Sequence, residues 1–217
     1  MLRGKVPMAH SFFTAHQRAT VEAAMARIIP TDDTPGAREA GCIDFVDRYL
    51  SGIGFIFARP DGSGFEVLTG KAADAWRRRI AIMRTRYAEG VFDLDSRSHK
   101  AFSADFADLA PEQQDSVLRD AEKKSQAKEA ATAADGPALQ QTSTEVDLDF
   151  FPLIVAHTRQ GFYADPIYGG NRRRVGWQVI GFPGPASLRD VHEGRYTTLQ
   201  YFAEGEAEKV REFHDGL

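Results

Sequence analysis

The stretch GFYADPIYGGNRRRVGWQVIGFPG, residues 161–184, has a composition found nowhere else in this chain. It contains six glycines together with tyrosines, phenylalanines and a tryptophan. Glycine lets the backbone adopt positive φ angles or approach another surface closely, whereas Pro166 and Pro183 restrict φ locally. Because flexible linkers rarely contain so many aromatic residues, the composition predicts a long, irregular but rigid loop. We interpret this loop as the functional centre of the chain, and as a binding surface rather than a set of catalytic groups.

The aromatic, turn-forming and basic residues of this loop are the candidates for contact with a partner. Asp165 and Asn171 are turn formers that can brace the loop through its own backbone. Arg172 begins a cluster of three arginines that could bind carboxylates of a partner with bidentate geometry. The predicted interface consists of Phe162, Tyr163, Asp165, Pro166, Tyr168, Gly169, Gly170, Asn171, Arg172, Trp177 and Phe182.

Before this loop, apolar residues recur mainly at helical spacing. A capping-box pattern at Thr14 opens a first helix, and Pro30 ends it. Strand signals are weak, and residues 52–64 fit either a short hairpin or an apolar loop laid on a partner. Further helices are predicted over about 37–50, from Thr69 to Gly90, around 102–109, from Pro111 onward and over 147–161.

These elements predict a mainly α fold, with one helical domain of about five to seven helices over residues 1–217. Residues 1–11 are expected to form a flexible N terminus. Residues 125–144 contain almost no large apolar side chain, which predicts a helix tail followed by a mobile linker. Residues 186–217 are polar and are expected to form an extended tail.

Composition excludes several classes of protein. The formal net charge of −4 over 217 residues argues against nucleic-acid binding, which normally requires a basic excess. No run of 18 apolar residues is present, so no membrane-spanning helix is expected. The single cysteine, Cys42, excludes an internal disulfide and a metal site built from cysteines alone. We expect Cys42 to be a small buried hydrophobic residue, with a bridge to a partner chain as the alternative.

The residue types that commonly carry catalysis or hold cofactors form no recognisable pattern in this sequence. Histidine and cysteine pairs with metal-ligand spacing are absent, and no glycine-rich flavin fingerprint follows a strand. We therefore expect no catalytic residue, metal or cofactor in this chain. His157 is the one histidine placed next to the loop, and we expect it to hold a backbone carbonyl there, with proton transfer as the alternative.

Residues 150–185, FFPLIVAHTRQGFYADPIYGGNRRRVGWQVIGFPGP, resemble the C-terminal signature of the gluconate 2-dehydrogenase subunit 3 family. In that signature a helix ending in His-Thr runs into G-F-[FY]-x-D-P-x-Y-G-G-N, followed by G-W and G-[FY]-P-G. Residues 12–54 resemble the family more loosely, through I-I-P-T-D-x-x-P-G-A-x-x-A-G. The resemblance implies a small, non-catalytic partner of a flavin-dependent sugar or polyol dehydrogenase of the glucose–methanol–choline type.

The resemblance also implies what the rest of the complex contains. A large flavoprotein subunit would carry FAD and oxidise a sugar hydroxyl to a carbonyl, and further subunits could carry an iron–sulfur cluster, a haem or a cytochrome. The present chain would form a heterodimer with the large subunit in a chaperone-like role, stabilising, maturing or escorting it. No signal peptide is recognisable at the N terminus, so the chain is expected either in the periplasm by escort with its partner or in the cytoplasm.

Two other functions are compatible with the residues. The chain could be a stand-alone helical protein, or a homo-oligomer, whose aromatic loop closes over a small ligand. It could also be an enzyme that uses His157, Asp165 and Tyr168. The first alternative predicts self-association without any partner, and the second predicts turnover by the isolated chain.

Overall fold

The computed structural model describes residues 12–134, 145–182, 184–185 and 187–195. The mainly α fold is confirmed, since these residues contain helices and a single isolated β-bridge but no strand. Five of the helices have ten or more residues. The α-helices are α1 (Ala15–Ile28), α2 (Ala37–Ala40), α3 (Cys42–Ser51), α4 (Gly70–Phe102), α5 (Pro111–Ala134), α6 (Phe150–Tyr163), α7 (Val175–Val179) and α8 (Leu188–His192).

The helix α6 is the centre of the fold, because it packs against each of α1 to α5 and against α7. Its sequence is apolar on several sides, as expected for a helix surrounded by others. Leu153, Ile154 and Phe162 are buried in the core, and His157 is buried among them. Pro152 is the third residue of α6, where its missing N–H costs no helical hydrogen bond. The 161–184 stretch therefore starts from the helix at the centre of the described fold.

The first helix follows its sequence prediction closely. The Thr14 side chain accepts a hydrogen bond from the backbone N–H of Gln17, and the Gln17 side chain accepts one from the backbone N–H of Thr14. This reciprocal capping box satisfies two N–H groups that the first turn leaves without helical partners. The helix α1 ends at Ile28, two residues before Pro30, as predicted.

The helix predicted over 37–50 is instead broken in two at Gly41. Gly41 has φ of +68° and separates α2 from α3. A Cβ at this position would lie 2.6 Å from Nε of Arg172. The break makes room for a side chain from the 161–184 stretch, which is a tertiary requirement that helical periodicity does not reveal.

The prediction that Gly90 ends a helix is wrong, because α4 continues to Phe102. Gly90 is buried, and a Cβ there would lie 2.1 Å from the ring of Phe150. The glycine allows the side chain of α6 to pack directly on the backbone of α4. It serves close helix packing and does not terminate the helix.

The segment between α3 and α4 forms a short hairpin, one of its two expected structures. The N–H of Glu66 donates to the carbonyl of Phe57, and the N–H of Arg59 donates to the carbonyl of Gly64, both at 2.8 Å. A 3₁₀ turn over Ile53–Phe55 precedes the hairpin.

Several predicted segments lie partly or wholly outside the described residues. The N terminus over 1–11 and the linker residues 135–144 are not described, whereas 125–134 form the end of α5. Of the predicted tail, residues 187–195 are described and contain α8. None of the described helices combines the length and the hydropathy that crossing a membrane requires.

Candidate functional site

The 161–184 stretch is held by a fully buried asparagine. The Asn171 amide donates to the carbonyl of Ala164 and accepts from the N–H of Gly176, both at 2.9 Å. The backbone N–H of Asn171 donates to the carbonyl of Gly161 at 2.7 Å. These three hydrogen bonds tie the end of α6 to the start of α7. The predicted loop is therefore a compact segment with fixed geometry, built from 3₁₀ turns over Pro166–Tyr168 and Arg172–Arg174 and from α7.

Two glycines of the stretch lie against the backbone of α6. A Cβ at Gly170 would lie 2.1 Å from the carbonyl oxygen of Gly161, and a Cβ at Gly176 would lie 1.9 Å from that of Phe162. Neither distance is sterically allowed, so any larger residue would push the segment away from α6. These glycines are required by close backbone packing.

Four residues of the predicted interface lie inside this chain. Phe162, Gly170, Asn171 and Trp177 are buried. The indole of Trp177 donates to the carbonyl of Tyr163 at 2.7 Å, and its ring meets the ring of Phe182 edge-on at 5.3 Å. The prediction placed these four residues at a partner contact, whereas the structure gives them a packing role within the chain. We call Phe162, Gly170, Asn171, Gly176 and Trp177 the buried brace.

Two charged residues of the predicted interface also bond within the chain. The Asp165 carboxylate accepts the N–H of Ile167 at 2.9 Å and caps the turn that begins with Pro166. The Arg172 guanidinium forms an ion pair with Asp44 of α3. Arg172 was predicted to meet a carboxylate of a partner; within this chain it pairs with Asp44, and the contact with a partner stays a prediction. Pro166 and Gly169 are partly exposed at the same turn.

The remaining predicted residues border an exposed apolar surface around α7. Tyr163 is 43% exposed and Ile180 is 56% exposed. We call Tyr163, Val179, Ile180 and Phe182, all exposed, the α7 apolar face. The buried brace holds this face in place, because Trp177 bonds to Tyr163 and packs on Phe182. Val179 and Ile180 were absent from the predicted interface because aliphatic residues in a helical pattern do not reveal which side faces solvent.

A cleft with a volume of about 480 Å³ opens beside this face. Tyr163 belongs to both surfaces, and Tyr168 is the other residue of the predicted interface that lines the cleft. The Trp76 ring meets those of Tyr49 and Phe57 edge-on, at 6.3 and 5.7 Å. Sequence reasoning missed this assembly because its rings come from four separate segments. We call it the aromatic cleft, and its rings are Phe45, Tyr49, Phe55, Phe57, Trp76, Tyr163 and Tyr168.

One carboxylate, Glu145, lies among the aromatic rings of the cleft. It accepts hydrogen bonds from Arg79 and Gln160 at 2.8 Å and from the Tyr49 hydroxyl at 3.1 Å. His157, then Gln160 and Arg79, hold the pKa of Glu145 well below its ordinary value, although burial acts in the opposite direction. Burial, reinforced by this negative charge, raises the pKa of Tyr49. Glu145 therefore stays ionised and fixes Arg79 and Gln160 at the edge of the cleft.

His157 connects this polar group to the core. Its Nδ1 atom is 2.9 Å from the hydroxyl of Tyr87, and its Nε2 atom is 3.9 Å from the Glu145 carboxylate. The expectation that His157 holds a backbone carbonyl is wrong, since its hydrogen-bond partner is a tyrosine hydroxyl. Burial raises the pKa of Tyr87, so this hydroxyl stays protonated. A completely buried imidazole is not accessible to a substrate in this conformation.

The three residues of the enzyme alternative each bond to a different part of the chain. His157 bonds to Tyr87, and Asp165 bonds to the N–H of Ile167. The Tyr168 hydroxyl accepts the N–H of Ala58 at 3.3 Å. Among the described residues, no hydrogen bond joins any two of the three. The same part of the chain contains no group of three or more His, Cys, Asp or Glu residues placed to hold a metal ion.

Cys42 is a small buried hydrophobic residue at the start of α3, as predicted. Burial raises the pKa of its thiol to about 12. A thiol in this state is neither exposed nor ionised at neutral pH, and both properties are needed for reaction with another chain.

The fold and these surfaces define a helical protein with a braced apolar face and a preformed aromatic cleft. The family model for gluconate 2-dehydrogenase subunit 3 matches residues 15–184. The chain belongs to this family, and the resemblance seen in residues 150–185 is confirmed over most of the sequence. The family is that of a small subunit of a dehydrogenase complex, so its name implies association with other subunits. Neither a curated protein nor a solved structure matches the chain significantly.

Proposed function

We propose that this chain is a non-catalytic subunit that binds and stabilises the FAD-containing catalytic subunit of a sugar or polyol dehydrogenase. The catalytic subunit oxidises a sugar hydroxyl to a carbonyl, and the FAD and any iron–sulfur cluster or haem belong to the partner chains. Where the complex is exported, the present chain travels with its partner and escorts it to the periplasm. Family membership supports the association with a dehydrogenase, and the surface of this chain supports the way in which it binds.

The observation that carries the proposal is the α7 apolar face. Val179, Ile180 and Phe182 are consecutive or nearly consecutive apolar residues that remain exposed at a rigid position. Contiguous exposed apolar residues on a soluble chain commonly mark a protein interface. The buried brace fixes this surface before binding, so little conformational entropy is lost when a partner covers it.

The proposal is tested by co-expressing the chain with candidate FAD-containing dehydrogenase subunits from the same organism and purifying the complex through a tag on the flavoprotein. We expect the chain to raise the yield of soluble, flavin-loaded flavoprotein. Cell fractionation with and without the chain tests the escort. An unchanged yield together with no co-purification would refute the proposed function.

An aspartate at an exposed position of the α7 apolar face separates binding from folding. Ile180→Asp should leave the stability of the isolated chain within about 0.5 kcal/mol, because surface substitutions rarely cost more. It should weaken the complex by about 2 kcal/mol or more, the range of interface hot spots. Phe92→Asp is the matched control, since Phe92 is an exposed aromatic residue of α4, 75% exposed, outside the face and the cleft. Equal complex formation by both variants would exclude this face as the interface.

A further inference from the structure

Arg48 of α3 lies next to the aromatic cleft, although it is not one of the residues that line it. Its guanidinium lies 5.7 Å from the centre of the Phe55 ring. Its Nη1 atom donates to the carbonyl of Ile167 at 2.8 Å, next to Tyr168. Phe55 lines the cleft, and Ile167 directly precedes Tyr168, which also lines it, so the guanidinium lies next to two parts of the cleft lining.

The acidic residues nearest to Arg48 on its own helix are engaged elsewhere. Asp44 forms ion pairs with Arg18 and Arg172. Asp47 accepts backbone N–H groups from the start of the described chain and lies 3.8 Å from Arg18. Among the described residues, Arg48 has no ion-pair partner.

The other charges at the cleft compensate each other. Arg79 lies 4.9 Å from the centre of the Trp76 ring and forms an ion pair with Glu145 at 2.8 Å. Taken with Arg48, these groups leave one uncompensated positive charge beside an otherwise aromatic cleft. Such a site is complementary to a bulky apolar group that carries a negative charge at one end.

We propose that the aromatic cleft receives a segment of the catalytic partner, in which a bulky apolar side chain fills the cleft and a nearby carboxylate pairs with Arg48. The inference rests on the proposed function and deepens it. Two observations identify a partner segment as the occupant. Tyr163 belongs both to the α7 apolar face and to the cleft, so a chain that covers the face reaches the cleft without a gap. The uncompensated charge of Arg48 supplies the complementarity that selects an acidic segment.

The chemistry of the cleft can be tested on the full-length isolated chain with two fluorescent probes. Anilinonaphthalene sulfonate is an aromatic anion, and N-phenylnaphthylamine is its uncharged counterpart. We expect the anion to bind more tightly, and we expect Arg48→Gln to weaken its binding about fivefold, the upper range for a partly exposed ion pair. The affinity for the neutral probe should not change. Arg48→Lys, which keeps the charge, should retain most of the preference for the anion.

Two further variants locate the probe. Phe57→Ser removes a cleft ring that is 42% exposed, so it should weaken both probes at a small cost in stability. Phe92 lies roughly 24 Å along α4 from Trp76, at 1.5 Å per residue. Phe92→Ser should therefore weaken the binding of neither probe. Equal binding of the anion by Arg48→Gln and by the unmodified chain would overturn the assigned role of Arg48.

Whether the partner occupies the cleft is tested on the purified complex. We expect the partner to exclude the anionic probe from the cleft, and we expect Arg48→Gln to weaken the complex about fivefold at low salt and less at high salt. Probe binding by the complex equal to that of the isolated chain would show that the partner does not occupy the cleft. That result overturns this inference and leaves the proposed function intact, whereas failure of the unmodified chain to form any complex overturns both.

Discussion

Replacing Asn171 tests whether the buried brace determines the geometry of the 161–184 stretch. In Asn171→Ala, the carbonyl of Ala164 and the N–H of Gly176 lose their side-chain partners, and the N–H of Gly176 belongs to a buried residue. A buried polar group left without a partner costs about 1–3 kcal/mol, which applies to the Gly176 N–H. The Ala164 carbonyl belongs to a partly exposed residue, so the loss of its partner adds less. Asn171 also has φ of +46°, and alanine is less favourable than asparagine in this left-handed conformation by about 1 kcal/mol.

A second variant separates these two contributions. Asn171→Gly loses the same two hydrogen bonds, but glycine adopts positive φ without strain. We therefore expect Asn171→Gly to be destabilised by the hydrogen-bond contribution alone and Asn171→Ala by about 1 kcal/mol more. A total of several kcal/mol is a large part of the free energy of unfolding, which is about 5–15 kcal/mol for a typical domain.

The assay is urea unfolding of the isolated chain, followed both by circular dichroism and by tryptophan fluorescence. Coincident transitions by the two probes would justify a two-state free energy. In Trp76→Phe, the remaining tryptophan is Trp177 of the buried brace, so fluorescence then reports on the brace itself. A destabilisation of Asn171→Ala below about 1 kcal/mol would refute the reasoning, because it is smaller than the cost of one unsatisfied buried group. Equal destabilisation of the alanine and glycine variants would refute the contribution assigned to the left-handed backbone conformation of residue 171.

Two more predictions concern the packing of α4 and the polar group of the cleft. Gly90→Ala should lower the free energy of unfolding although alanine is the better helix former by about 1 kcal/mol, because its Cβ meets the ring of Phe150; a gain in thermal stability would contradict this packing. Glu145→Gln should destabilise the chain by about 1–3 kcal/mol at neutral pH, by leaving Arg79 without its carboxylate. Because folding lowers the pKa of Glu145, the carboxylate stabilises the fold above its ordinary pKa of 4.5, and this contribution is lost as the pH falls toward the lowered value. The free energy of unfolding is measured in urea from neutral to acidic pH. The difference in this free energy between Glu145→Gln and the unmodified chain should shrink below pH 4.5. A difference that stays constant with pH would contradict the prediction.

The sequence predicted the helices well where local signals determine them. The capping box at Thr14, the stop before Pro30 and the start of α5 at Pro111 depend on residues adjacent in the chain. The errors at Gly41 and Gly90 have a common cause. Both glycines were judged by their own neighbourhood, whereas each is required by a side chain from α6 or the segment after it. Helical periodicity carries no information about which distant side chain occupies the space that a missing Cβ leaves open.

The rigidity of the 161–184 stretch could be predicted from the sequence, whereas its role as an interface stays a prediction. The composition of 161–184 indicated a rigid segment rich in aromatic residues, and the structure gives that segment a fixed geometry. The same composition arises whether an aromatic residue packs inward, as Trp177 does, or borders solvent, as Phe182 does. The aromatic cleft could not be predicted, since its rings meet only after α3, α4, α6 and the hairpin have packed together.

Because the 161–184 stretch contains both buried and exposed aromatic residues, only some substitutions in it can identify an interface. The substitutions Trp177→Ala and Tyr168→Ala are natural first choices from the sequence, because large aromatic residues dominate hot spots. Trp177 is buried and supports Tyr163 and Phe182, so its loss would displace the α7 apolar face even if no partner atom touches it. Reduced binding by Trp177→Ala would therefore measure folding and contact together. A substitution at an exposed position such as Ile180 is expected to leave the stability of the chain unchanged. A loss of binding by such a variant can therefore be attributed to the surface itself.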